Sequence, residues 1–172
     1  SDLTLSGAVL SSLYFSNNAT PAFGLNITLL NAPSPYTVIG MNLPALVNWT
    51  AGAGLVEDYA RISGTLLGNL TLAPEPLGVG SYWQVPSTLI VPNLVTLTLN
   101  SGVLIKFQSG QSLTIASGGT LNVNGTAGAG NHVVLTSSVD TNVGVGNVAH
   151  LISWEGVNFS SGSVGGTLNF LD

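Results

Sequence analysis

A chain of 172 residues and 17.5 kDa is long enough for one domain with a real core and short for two, so a single unit spanning 1–172 is expected. Apolar residues make up 45% of it, but Gly, Ser, Thr and Asn break every apolar stretch before it reaches the length of a membrane span. Only 5% is charged, with Arg61 and Lys106 as the sole strong bases against seven carboxylates; that net charge of −5 leaves nothing to neutralise phosphates and excludes a nucleic-acid partner. The absence of cysteine excludes disulfides and thiolate metal sites.

In chain order, strand pattern starts at once with Leu3-Thr-Leu5 and returns at Leu25-Asn-Ile-Thr-Leu29. Between Pro44 and Arg61 a helical turn is conceivable, although Ala51-Gly-Ala-Gly54 favours a loop. Asn69-Leu-Thr-Leu72 is a short strand, and the proline-rich segment 73–86 reads as a loop thrown out of the fold. From 95 to 124 four bursts alternate: Val95, Leu97 and Leu99; Val103, Ile105 and Phe107; Leu113 and Ile115; Leu121 and Val123. A period of two puts one set of side chains inside and the other outside. His132–Thr136, Val157–Phe159 and Thr167–Phe170 repeat the pattern after a Gly-rich turn at 125–130 and a second long loop at 137–149.

Leu89 and Leu113 lie 24 positions apart, as do Leu97 and Leu121, so successive strands recur in phase after about one coil of a solenoid. Residues 84–136, with Val85-Pro86, Thr96-Leu-Thr98, Lys106-Phe107, Gly119-Thr-Leu121, Asn124-Gly-Thr126 and Leu135-Thr-Ser-Ser138, resemble the repeated coils of right-handed parallel β-helices in large secreted and cell-surface proteins. Trp154-Glu-Gly-Val157 stands where such coils carry a Trp-Gly-Gly strand, with Glu155 departing from the usual glycine. The resemblance implies an all-β, right-handed parallel β-helix that is extracellular and usually non-catalytic. It names no function, because that fold serves lyases, adhesins and fibres alike.

Catalytic chemistry finds little purchase. A lyase on this scaffold needs a base and several carboxylates holding calcium, whereas Arg61 and Lys106 stand far apart and read as solvated or stacked structural residues. Glu57 and Asp58 are adjacent and would face opposite ways on a strand, while Asp140 and Glu155 flank a loop and would have to converge, with Lys106 or Arg61, for glycoside chemistry. Asp140 reads better as a turn residue. His132 and His150 match no ligand spacing, so neither metal nor cofactor is expected. A single Thr96-Leu-Thr98 pair falls short of the array an ice-binding face requires. Six Asn-x-Ser/Thr sequons, at Asn18, Asn26, Asn48, Asn69, Asn124 and Asn158, are candidate glycosylation sites that would offset the scarcity of charge.

Neither end reads as capped: Leu3 and Leu5 open in mid-pattern, and Leu168 and Phe170 close in it. The first residue is Ser1, and no basic segment precedes an apolar stretch, which suits a mature secreted chain or a piece of a longer one. The expected function is structural, an extracellular β-solenoid subunit whose copies stack head to tail into a filament, stalk or surface layer. Leu3, Leu5, Leu168 and Phe170 would form the junction, with Trp154 and Phe159 packing nearby and surface glycans as further partners. About seven coils rising roughly 4.8 Å each would give a unit of roughly 34 Å. The other readings are an adhesive repeat of a giant surface protein and a pectate-lyase-like or carbohydrate-binding β-helix.

Overall fold

A strand of three to five residues buries too little on one face to hold itself, and it persists only where neighbours above and below complete its backbone hydrogen bonds. The computed structural model of the chain describes residues 2–6, 26–30, 48–51, 59–66, 68–74, 82–140, 153–169 and 171–172. Within them every strand pair is parallel, and no helix occurs.

Strands β1 (Asp2–Ser6), β2 (Asn26–Leu30) and β3 (Asn48–Ala51) form one sheet in the order β1-β2-β3. The next twelve strands repeat in threes. Sheet I contains β4 (Tyr59–Arg61), β7 (Tyr82–Val85), β10 (Leu104–Phe107) and β13 (Val134–Ser137). Sheet II contains β5 (Gly64–Thr65), β8 (Leu89–Val91), β11 (Leu113–Ile115) and β14 (Val157–Phe159). Sheet III contains β6 (Leu70–Leu72), β9 (Thr96–Asn100), β12 (Thr120–Asn124) and β15 (Leu168–Asn169). Each strand pairs with the one three places on, so the chain visits the three sheets in turn and climbs one rung per circuit, an arrangement consistent with a β-solenoid.

The register bears out the in-phase spacing: Leu89 pairs with Leu113, and Leu97 with Leu121. Inward side chains therefore stack in columns, among them Leu89–Leu113–Val157, Val91–Ile115–Phe159, Leu72–Leu99–Val123–Leu168 and Trp83–Ile105–Leu135. Their middle members are fully buried, and together they form the core.

Corners stack as regularly as strands. Gly118, in the turn between β11 and β12, has φ +73°, and a Cβ there would run into the Asn93 side chain one rung away. The amide of Leu94 donates to the Gly118 carbonyl, and that of Gly118 to Gly162, so corner backbone is hydrogen-bonded along the axis.

One expectation changes, that of a loop over 73–86, and two others fall only partly on described residues. Residues 44–61 hold no helical turn among the described residues, because β3 and β4 lie there. The loop expected over 73–86 ends early, since β7 occupies Tyr82–Val85; all four of its residues are buried, so it shows no alternation to read. The loop at 137–149 begins with a turn from Ser137 to Asp140, and its remainder lies outside the described residues.

Candidate assembly face

The outer faces of the three sheets differ. On sheets II and III the outward residues Ile90, Thr114, Thr96, Thr98 and Asn122 are half-buried and Asn124 and Asn158 exposed. On sheet I, Tyr82, Gln84, Leu104 and Lys106 point outward by alternation yet are all buried. The Lys106 ammonium donates to the Asp140 carbonyl at 2.7 Å and lies 4.9 Å from the centre of the Tyr82 ring. Burial pushes its pKa down, and the Asp140 charge pulls partly back. Of its two expected roles, stacked or solvated, the stacked one holds.

Lys106 and Asp140 are thus together, but as structural partners. Asp140 is the turn residue expected of it: its amide donates to Ser137 and its carboxylate accepts from the Thr136 hydroxyl at 2.8 Å. Glu155 is exposed at the start of the last sheet II strand, where its amide donates to the Gln111 carbonyl. Arg61 shares a register row with Gln84 and Lys106 on sheet I. Glu57, Asp58 and His150 lie outside the described residues. His132 faces Asp172, its Nδ1 against the carboxylate. Among the described residues no three His, Asp or Glu side chains gather where they could hold a metal ion, and no helix is long and apolar enough to cross a membrane.

Three of the sequons have described side chains, and all three face solvent. Asn69, Asn124 and Asn158 are exposed, and the Asn69 side-chain oxygen accepts from the Thr96 amide at 2.8 Å. Asn26 and Asn48 are register partners on β2 and β3. Asn18 lies outside the described residues.

Among the described residues the core is buried in its first three-sheet coil and surfaces in its last. In the first coil of sheets I to III, Ile62, Leu66, Leu70 and Leu72 are each 1% exposed. In the last coil the same columns surface: Phe159, stacked above fully buried Ile115, is 49% exposed, and Leu168, above fully buried Val123, is 52% exposed. Val164 and Leu171 are exposed beside them. Trp154 is the exception, half-buried and stacked on Phe107 with ring centroids 4.5 Å apart.

The edges at this end are unequal. Strands β14 and β15 are edge strands, so each presents backbone donors and acceptors without a strand beyond it among the described residues. On sheet I, Leu171 and Asp172 already add to β13, with Asp172 donating to Val133 and its carbonyl accepting from Leu135. The side-chain contact of His132 Nδ1 with the Asp172 carboxylate fastens that step.

Of the expected junction residues, Leu168 stands on this open end. Leu3 and Leu5 lie on β1, an edge strand of the first sheet, and Phe170 lies outside the described residues. The burial of the sheet I outer face and the His132–Asp172 pair were missed; Leu104 and Tyr82, apolar and aromatic at outward positions, were the signal for the first. No family model, curated protein or solved structure matches the chain.

Proposed function

We propose that the protein is a structural, non-catalytic β-solenoid subunit, coiled right-handedly and placed outside the cell, whose copies stack end to end into a filament, stalk or surface layer. The observation that carries this reading is the open end of the core: columns fully buried rung after rung terminate in Phe159 and Leu168, each about half exposed beside free strand edges. Apolar ends of this kind are stabilised by another layer, because each covered side chain removes apolar area from water at about 25 cal/mol per Å². A head-to-tail contact uses two different surfaces and grows as a filament where its rotation does not close into a ring. Handedness and location rest on the resemblance of residues 84–136 to secreted β-helix coils. Sugar at the exposed sequons Asn69, Asn124 and Asn158 is part of the same proposal.

Electron microscopy of purified protein tests it. The expected result is a fibre with an axial repeat of roughly 30–35 Å, from strand spacing, which dissolves into monomers when Phe159→Asp and Leu168→Asp are introduced. Monomeric wild-type protein at every concentration would rule the reading out. Glycosidase treatment of protein from its native source should lower the mass if the sequons carry sugar.

A further inference from the structure

The open end has a defined chemistry, and one described strand has the matching one. Among the described strands only β1, β2, β9 and β12 are five residues long. Strands β9 (Thr-Leu-Thr-Leu-Asn) and β12 (Thr-Leu-Asn-Val-Asn) run polar-apolar-polar-apolar-polar, and both belong to sheet III. Strand β1, Asp-Leu-Thr-Leu-Ser, has the same length and the same pattern. Strands of sheets I and II are shorter and carry other patterns. Sheet III ends at β15, and β1 is itself an edge that pairs only with β2 among the described residues.

We infer that β1 of a second copy adds in parallel to β15, continuing sheet III from one subunit into the next; this assignment rests on the stacking proposed above. Its register follows from the rungs below. Asn100, Asn124 and Asn169 share one row, and Leu99, Val123 and Leu168 share the inward row before it. Matching β1 to β9 residue by residue places Ser6 in the asparagine row and Leu5 over Leu168. Leu3 then falls over Gly166, two residues before Leu168. Glycine is required there because a Cβ would overlap the Leu121 carbonyl, so at that position no side chain continues the column Leu70–Leu97–Leu121. No charged side chain stands in the Ser6, Leu5 or Leu3 rows, and the one carboxylate of the strand, Asp2, falls at its first position, opposite Gly165. Edge pairing of this kind supplies backbone hydrogen bonds, and the alternate side chains select the partner.

The native chain has no cysteine, which makes the register directly testable. Rows of a parallel sheet are about 4.8 Å apart, within the Cα separation a disulfide spans. Ser6→Cys and Asn169→Cys are prepared as separate proteins and mixed with oxidised glutathione as electron acceptor. Asn169 is exposed and Ser6 ends its strand, and both share the register row of Asn100 and Asn124 in the proposed pairing. The expected result is a disulfide-linked dimer in the mixture, at least tenfold over either protein alone, and a ladder of oligomers from the double variant. Asn124→Cys, one rung lower and about 9.6 Å from Ser6 on the same spacing, should not cross-link to it. Circular dichroism of each single variant establishes that it is folded. Fibres by microscopy without the cross-link would overturn this junction while leaving end-to-end stacking intact. Neither fibres nor cross-link would overturn both.

Discussion

At the scale of single residues, Lys106 is where parity and environment part. Alternation with Ile105 and Phe107 puts it outside, and the fold buries it there against Tyr82 and the Asp140 carbonyl. Its folded pKa lies below its unfolded one, so the cost of holding the buried ammonium is present in full at neutral pH. Between the folded value and lysine's ordinary 10.5 the unfolded chain binds more protons, and stability therefore rises with pH across that window. Lys106→Met keeps the stem and removes the charge. Urea midpoints measured at neutral and alkaline pH should climb for the wild type and climb less for the variant; equal slopes would show that Lys106 does not contribute. Gly118 makes a second residue-scale case. Gly118→Ala meets both a left-handed backbone and the Asn93 side chain, and should lose more than about 1 kcal/mol. Adding Asn93→Gly should recover the steric part and leave the backbone part.

Among elements, strands with one wet face were readable, and of the two buried on both faces β10 was read while β7 was not. β9, β11 and β12 alternate cleanly because their outer residues, Thr96, Thr98, Thr114 and Asn122, stay partly hydrated. β7 and β10 are buried on both faces, and Tyr82–Val85 consequently passed for the tail of a loop. The spacing of 24 also held only where connections are short. Between β11 and β14 the register offset grows to 44, because 19 residues separate the end of β13 at Ser137 from the start of β14 at Val157. Position in a column should govern mutational cost. Leu121→Ala, with a rung on either side, should cost about 2–5 kcal/mol by urea denaturation. Leu168→Ala, half exposed at the top of its column, should cost the monomer under about 1.5 kcal/mol, since much of that side chain is already in water.

For the whole molecule the relevant fact is polarity among the described residues: a core buried in its first three-sheet coil, at Ile62, Leu66, Leu70 and Leu72, and surfacing in its last, at Phe159 and Leu168. A partner that binds only folded protein stabilises it by mass action, so self-association makes the melting temperature depend on concentration. The wild-type melting temperature should rise with protein concentration, and that of Leu168→Asp should stay flat. Parallel, concentration-independent curves for both would count against association through this end. The candidate site was half legible at this scale. Leu168 was identified because strand pattern continues through it, whereas Phe159 was expected only to pack nearby, and its exposure reflects that no described strand pairs beyond it, while Ile115 one rung below is fully buried.

The sequence by itself determined that the chain is all-β, that its strands are short, and which leucines meet one rung apart, because alternation and a constant spacing are local properties repeated along the chain. Only the tertiary structure decided that one outer face is dry, that Lys106 sits beneath it, and that the core is buried in its first three-sheet coil and surfaces in its last. Those are properties of what lies on top of a strand. A residue's neighbours in sequence set the direction of its side chain, but whether that direction leads to water depends on segments tens of residues away.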